Sequence, residues 1–188
     1  MFPVIRLARV DEAGALTALC RRSKAHWGYD AAFMRLAAPA LEVDAEAIGE
    51  GRVFVGVDGD DRALGVARLD ILDIKPPDVA ELGLLFVDPP AMGLGVGAAL
   101  FRHVAAEARR RGCRRMTILA DPFAAPFYER MGANCLGQAP SDAIPGRTLP
   151  LYDVDLTRPV AHEDHADAAA GAVASAPSGH LGLGQTTI

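Results

Sequence analysis

The chain lacks several features that would assign it to a class at once. Its apolar runs fall well short of the ~20 residues that a membrane-spanning helix requires, so we expect no membrane association. The segment Met1–Arg6 has no basic stretch followed by an apolar one, and we therefore expect no signal peptide and a cytoplasmic protein. The 3 cysteines are an odd, sparse set without metal-ligand spacing, which indicates reduced thiols. A net charge of -5 disfavours nonspecific binding to nucleic acid.

Length and composition suit a single domain. The 188 residues, 51% of them hydrophobic, can bury a substantial core. From Val160 onward Ala, Gly, Ser, His and Pro dominate without periodicity, a composition typical of disordered chain. We expect one domain over residues 1–158 and a disordered tail over residues 159–188. His162 and His165 in that tail have few other ligands near them, so we expect no metal site.

The order of strand-like and helix-like segments indicates an α/β fold built on a mixed sheet. Apolar runs bounded by Gly, Pro and Asp predict strands at Val4–Leu7, Val53–Val57, Ala63–Ile71, Val79–Val87, Arg114–Leu119, Ala133–Gly137 and Leu149–Leu156. Amphipathic or capped segments predict helices at about 11–24, 33–39, 44–50, 98–111 and 122–131. Antiparallel strands come first and a β-α-β-α-β section follows, so we expect helices on both faces of the sheet.

The stretch Met92–Gly97, MGLGVG, is the most informative part of the chain. It lies between a predicted strand and a predicted helix, with glycine at every second position: Gly93, Gly95 and Gly97. A glycine-rich turn that leads into a helix leaves backbone N–H groups free at the positive end of the helix dipole. Such a turn is suited to a phosphate or pyrophosphate, because a Cβ would block its close approach to the backbone. The stretch therefore predicts a nucleotide or coenzyme binder.

Two other interpretations of this turn stay open. Gly93-x-Gly95-x-x-Ala98 fits the dinucleotide fingerprint, with Asp121 on a later strand as the acidic residue. However, two prolines separate the preceding strand from Gly93, and Asp121 follows Gly93 by 28 positions where roughly 20 is expected. These departures disfavour an enzyme that uses a dinucleotide or S-adenosylmethionine. The turn could also connect a strand and a helix without binding a ligand.

Two segments resemble the motifs of the GCN5-related N-acetyltransferase superfamily. Val87–Leu100, VDPPAMGLGVGAAL, looks like its coenzyme A pyrophosphate motif, in which a strand ending in V-x-P precedes R/Q-G-x-G-x-G/A at a helix start. Asp121–Ala133, DPFAAPFYERMGA, is similar to the superfamily's N-x-x-A-x-x-F-Y-E-K-x-G-F in register. The resemblance covers roughly residues 4–157. It departs from the pattern at Met92, where Arg or Gln is usual, and at Asp121, where Asn is usual.

The resemblance implies that acetyl-CoA is the co-substrate and that an acetyl group moves to the amine of a small molecule or peptide. The residues that would contact the coenzyme are Leu85, Phe86, Val87, Met92, Gly93, Leu94, Gly95, Val96, Gly97, Ala98, Asp121, Ala124 and Phe127. The chain has no Ser or Cys in a recognisable nucleophile elbow, which favours direct transfer over an acyl-enzyme. A noncatalytic acyl-CoA-binding or regulatory module on the same fold is the alternative. The resemblance also leaves a homodimer open.

Two residues are candidates for proton transfer. An amine with a pKa of about 10.4 must lose a proton, and a departing thiolate benefits from a proton donor. The resemblance places Tyr128 near the coenzyme sulfur as the donor and Glu81 at the position of a base. Strand alternation is expected to put Glu81, Gly83, Leu85 and Val87 on one face. Tyr128 also fits an interfacial aromatic, and Glu81 a solvated carboxylate at a strand end.

The thioester carbonyl and the acceptor would be held by other parts of the chain. In the resembled fold, backbone N–H groups near 85–87 polarise the carbonyl where the strand splays from its neighbour. The first two helices border the acceptor pocket, so His26, Trp27 and Tyr29 are candidates to line it, although they also fit a helix-packing corner. Arg147 could bind an acceptor carboxylate or pair with a surface acid. The arginines within 109–115 lie some 20 Å from the glycine turn and are expected to be structural.

Overall fold

The computed structural model describes residues 3–72, 78–141 and 143–158, so the predicted tail lies outside the described residues. The strands are β1 Val4–Leu7, β2 Val53–Val57, β3 Ala63–Ile71, β4 Val79–Val87, β5 Arg115–Leu119, β6 Asn134–Pro140 and β7 Thr148–Asp155. The helices are α1 Ala13–Ala25, α2 Ala31–Ala37, α3 Ala45–Gly49, α4 Val96–Arg110 and α5 Ala125–Arg130. Within the described ranges, none of these helices has the length and apolarity needed to cross a membrane.

The seven strands form one mixed sheet in the order β1-β2-β3-β4-β5-β7-β6. Every neighbouring pair is antiparallel except β4 and β5, which are parallel. The chain runs from β4 through α4 to β5. This connection explains why the two strands are parallel, because parallel neighbours need a crossover and the helix supplies it. The predicted α/β architecture with a mixed sheet is therefore confirmed.

Helix ends differ from the sequence expectations by a few residues. The first helix begins at Ala13 rather than Asp11, because a 3-10 turn occupies Val10–Glu12. The second helix ends at Ala37, and a further 3-10 turn, Ala38–Leu41, includes the proline that was expected to end it. Tight turns of this type often continue or precede an α-helix, and their residues share its composition.

Helices cover both faces of the sheet. α4 and α5 pack on one face through a core that includes Phe101, Val104 and Phe127, whereas α1, α2 and α3 pack on the other. Gly65 on β3 lets α4 approach the sheet closely, because an added Cβ would lie 3.0 Å from the side chains of Val96 and Leu100. The start of α4 is thereby held directly against the middle of the sheet.

β4 and β5 separate soon after they begin. They pair only over Val79–Glu81 with Arg115–Thr117, and the rest of β4 pairs with β3 alone. The backbone bond from Asp88 N to Leu64 O fixes the alternation of the β4 amides, since those that face β3 occur at every second residue. The N–H groups of residues 85 and 87 consequently face the gap between β4 and β5.

A bulge at Gly83 reverses the side-chain alternation of β4. The register with β3 shifts by one residue there, so Leu82 before it and Leu85 and Val87 after it all pack in the α4 layer. Glu81 therefore faces the α1–α3 layer. The expectation that Glu81 shares a face with Leu85 and Val87 is wrong, because it assumed a strand without a bulge.

Candidate active site

The glycine turn at the start of α4 has open space beside its backbone. Gly93 and Gly95 both have φ of +78°, a left-handed conformation that favours glycine. An added Cβ at Gly95 would meet no described atom within 4 Å, so the space above it is open. The first helical backbone bond runs from Ala99 N to Gly95 O, and the amides of residues 96–98 therefore have no partner inside the helix. Their donors can bind an anion.

The strand end that leads into this turn is anchored to α1. Arg22 donates to both carboxylate oxygens of Asp88, with Nε–Oδ1 and Nη2–Oδ2 distances of 3.1 and 2.9 Å. Asp88 O in turn accepts from Ala91 N. This two-bond contact has the fork geometry of an Arg–carboxylate pair and fixes the turn relative to α1.

Tyr128 carries the most isolated hydroxyl in the site. The side chain is fully buried on α5, packed against Phe101, Phe127 and Tyr152. Its hydroxyl has no hydrogen-bond partner within the described ranges. Burial, together with the nearby charge of Asp121, raises the pKa of Tyr128, so the hydroxyl is neutral and able to donate. An unpaired buried hydroxyl is costly, and a bound group that accepts from it would remove the cost.

A buried ionic network lies at the end of β5, next to the gap. Asp121 Oδ2 accepts from Lys24 Nζ at 2.6 Å and from the Tyr29 hydroxyl at 2.7 Å. Arg147 Nη2 donates to the Tyr29 hydroxyl at 3.0 Å and to Asp121 Oδ2 at 3.3 Å. Asp121 Oδ1 accepts from Phe123 N. We refer to Lys24, Tyr29, Asp121 and Arg147 as the ionic cluster.

Burial and charge act against each other in the ionic cluster. Burial would raise the pKa of Asp121, but the charge of Lys24 and the hydrogen bonds it receives lower it overall. Burial lowers the pKa of Lys24 although Asp121 opposes this effect. Burial and the bond to Asp121 raise the pKa of Tyr29 to about 12, so Tyr29 is a neutral donor. Asp121 is the one acid among these four residues.

Aromatic rings surround the ionic cluster. Trp27 stacks on Phe123 with centroids 5.1 Å apart, and Tyr29 stacks on Phe33 at 4.0 Å. His26 is exposed and meets the Trp27 ring edge-on. We refer to Trp27, Tyr29, Phe33 and Phe123 as the aromatic cluster. Three of the four predicted acceptor residues, Trp27, Tyr29 and Arg147, are thus brought together, and His26 lies at their edge.

This geometry fits a coenzyme A thioester. The amides at the start of α4 suit a diphosphate, β4 and β5 pair over only three positions, and the unpaired Tyr128 hydroxyl has a proton to donate. Residues 20–133 match the model of the acetyltransferase (GNAT) family. The chain belongs to the GNAT family. Membership in this acetyltransferase family supports an acyltransferase activity, whereas no curated protein matches the chain.

Several solved structures share the fold of this chain. yncA from Salmonella typhimurium, solved with its cofactor acetyl-CoA, is 21% identical with a TM-score of 0.60, covering 88% of this chain and 100% of that one. N-acetylglutamate synthase from Neisseria gonorrhoeae, complexed with coenzyme A and N-acetyl-glutamate, is 20% identical with a TM-score of 0.61, covering 84% of this chain and 36% of that one. A GCN5-related N-acetyltransferase from Kribbella flavida is 22% identical with a TM-score of 0.59, covering 81% and 97%. Such identities establish the fold.

The two departures from the GNAT motifs have a visible structural setting. Met92 is partly buried and packs against the core, so it presents an apolar side chain where the motif usually has a polar one. Asp121 is 2% exposed, and its carboxylate is bonded inside the protein. The neighbouring motif residues Ala124 and Phe127 are buried in the same layer as α4.

Glu81 and the arginines of residues 109–115 lie at two other places in this GNAT domain. Glu81 is half-buried opposite Thr117, at the last paired position before the gap opens. The arginines near the C-terminal end of α4 bond to protein groups, as expected: Arg109 to Leu156 O, Arg111 to Glu107, and Arg115 to Asp153.

Sequence reasoning missed Lys24, Phe33 and Phe123 as site residues. Lys24 follows Cys20 by four positions on the buried face of α1, so helical periodicity could have predicted its burial. No comparable signal exists for Phe33 and Phe123, because their proximity depends on packing between distant segments.

Proposed function

We propose that the protein is an N-acetyltransferase that transfers the acetyl group of acetyl-CoA to the amine of a small molecule or peptide by direct attack in a ternary complex. One observation carries the proposal: the start of α4 has amides without a helical partner and open space beside Gly95, and it follows directly on β4, whose pairing with β5 stops after three positions. The unpaired Tyr128 hydroxyl also supports the proposal. Family membership supports it, as do similar structures solved with acetyl-CoA or coenzyme A.

The glycine turn and β4 would bind the co-substrate through main-chain atoms. The free amides of residues 96–98, together with the glycine turn around residues 93–95, would hold the diphosphate at the positive end of α4. The N–H groups of Leu85 and Val87 face the gap, where they can donate to the thioester carbonyl and stabilise the charge that develops on its oxygen. Leu94, Ala124 and Phe127 complete the proposed surface for the coenzyme.

Two side chains would move the protons. Glu81, on the α1–α3 side of β4, would accept a proton from the attacking amine, directly or through water. As the new C–N bond forms and the C–S bond breaks, Tyr128 would donate its proton to the departing thiolate. The products are the acetylated amine and the free thiol of coenzyme A.

The cellular location and the oligomeric state of the enzyme belong to the same proposal. All three cysteines are free thiols, which agrees with a cytoplasmic protein. Activity without a metal and a homodimer stay predictions.

Ligand-dependent unfolding combined with a thiol-release assay tests the proposed function. Acetyl-CoA should raise the melting temperature, whereas NAD and S-adenosylmethionine should not, because the ligand stabilises only the state that binds it. Addition of amine acceptors should then release free thiol. Stabilisation by NAD or S-adenosylmethionine alone would contradict the proposal. Tight acetyl-CoA binding without turnover on any amine would instead identify a noncatalytic module.

A further inference from the structure

The ionic cluster contains more positive than negative charge. Lys24 and Arg147 are two cations, Tyr29 is neutral, and Asp121 is their shared carboxylate. The side chains of Lys24 and Asp121 are 5% and 1% exposed, so solvent compensates this imbalance poorly. The charges that act on Lys24 are those of Asp121 and Arg147. A net charge of one positive unit therefore lies beside the gap between β4 and β5.

Arg147 is placed to bind an anion with the donors that it does not use internally. Its bonds to Tyr29 and Asp121 both use Nη2, and within the described ranges Nε and Nη1 donate to no residue. The guanidinium carbon lies over the Phe33 ring, 4.8 Å from its centroid, and over the Tyr29 ring, at 5.4 Å. Its side chain is 20% exposed, so the free edge can be reached. A planar fork held in this way favours a carboxylate or another oxyanion.

We propose that the acceptor is an amine that also carries an anionic group, such as the carboxylate of an amino acid, and that Arg147 binds this group. The excess positive charge of the ionic cluster is then compensated when the acceptor is present. The aromatic cluster, next to Arg147, supplies an apolar surface for the remainder of the acceptor. This inference rests on the proposed function, whose site it extends.

The anion could also come from a phosphate of the coenzyme. The diphosphate already has a binding place at the start of α4, where the turn is open and the amides are unpaired within the helix. The ionic cluster lies elsewhere, at the end of β5, with Arg147 contributed by the segment just before β7. The acceptor is therefore the occupant that we infer, and the experiment separates the two.

Matched pairs of acceptors test the inference. L-phenylalanine, L-methionine and L-leucine would be compared with phenethylamine, 3-(methylthio)propylamine and isopentylamine, which lack only the carboxylate. Thiol release would give kcat/KM, and the fluorescence of Trp27, the single Trp of the chain, would report binding without turnover. We expect kcat/KM to be at least about tenfold higher for amino acids, as for a charge-assisted contact.

Arg147→Gln should remove that preference. It should raise KM for the amino acids by about tenfold, leave the amines within about twofold, and leave the Kd of coenzyme A unchanged. Arg110→Gln, at the distant end of α4, is the control and should change none of these values.

Three results would overturn the inference. Equal use of both members of each pair would show that the anion is not recognised. A larger effect of Arg147→Gln on coenzyme A than on the amino acids would assign the charge to the coenzyme. If no compound turns over, the Trp27 titration still decides. Absence of amino-acid binding would overturn the inference. Binding that is abolished by Arg147→Gln would support it, and the failure would then lie in the proposed function.

Discussion

At the scale of single residues, Tyr128 is where the demands of stability and of activity are expected to conflict. A buried hydroxyl without a partner destabilises the folded state by about 1–3 kcal/mol relative to a satisfied one. Tyr128 is in this position, since its hydroxyl bonds to nothing in the described ranges and its ring is fully buried. A bound ligand that accepts from this hydroxyl would remove the cost.

Tyr128→Phe should therefore lower activity without lowering stability. Removal of the hydroxyl takes away the proton donor, and we expect kcat to fall by about 10²-fold or more while the KM for acetyl-CoA stays within about twofold. The free energy of unfolding should stay the same or rise, because an unpaired polar group is lost. Steady-state kinetics and urea denaturation measure both. An unchanged kcat would remove Tyr128 from the mechanism.

The pair of Lys24 and Asp121 should make stability depend on pH at the acid end. Its neighbours hold the pKa of Asp121 below the ordinary 3.8 in the folded state. The ionised carboxylate therefore stabilises the fold above that ordinary pKa, and this contribution is lost as the pH falls through the lower, folded value. Asp121→Asn leaves Lys24 buried without its counter-ion and should cost about 3–5 kcal/mol at neutral pH.

Urea denaturation between about pH 2 and pH 7 measures the pH dependence of stability and the cost of Asp121→Asn. Lys24→Met/Asp121→Asn is the matched double variant. The double variant should recover most of the lost stability, because it removes both charges of a buried pair. It should also lose less stability than the natural chain as the solution is acidified. A cost of less than about 1 kcal/mol for Asp121→Asn would show that the pair is solvated rather than buried.

At the scale of elements, α4 offers two glycines with similar conformation and different predicted roles. Gly95 precedes the helix with φ of +78°, and Gly112 follows it with φ of +90°. At each, an added Cβ meets no described atom within 4 Å. The helix that separates them, Val96–Arg110, is about 22 Å long at 1.5 Å per residue. Substitutions at the two glycines therefore distinguish the effect of backbone strain on coenzyme binding from the effect of a side chain at the turn.

Gly95→Glu should abolish coenzyme binding, whereas Gly112→Glu should not. Both variants place a charged side chain at a positive φ and should lose about 1–2 kcal/mol of stability. Only the Gly95 side chain occupies the space above the free amides, so we expect at least about 100-fold weaker binding of coenzyme A, or more than 2.7 kcal/mol. Isothermal titration calorimetry measures this. Equal losses in both variants would mean that strain, and not the turn, governs binding.

At the scale of the whole molecule, the gap between β4 and β5 connects the two layers. Tyr128 belongs to the α4–α5 layer, whereas Glu81 faces the α1–α3 layer. A thioester in the gap would have a proton donor on one side and a base on the other. The parallel pair permits this, because its two strands share only three paired positions before they diverge.

The sequence predicts the strands better than the site. The bounds of β2, β3 and β4 match the expectations because apolar runs end at Gly, Pro or Asp. The bulge at Gly83 and the contact of Lys24 with Asp121 could not be predicted, since the first depends on pairing with β3 and the second joins residues 97 positions apart. The glycine turn was predictable because its chemistry is local.

Amide NMR of the 15N-labelled protein during titration with acetyl-CoA observes the turn directly. The resonances of Gly93–Ala98 should shift most, together with those of Leu85 and Val87. The free amides at the start of α4 would donate to the diphosphate, and those of Leu85 and Val87 would donate to the thioester carbonyl. Saturable binding that leaves the resonances of Gly93–Ala98 unmoved would contradict a coenzyme site at the start of α4.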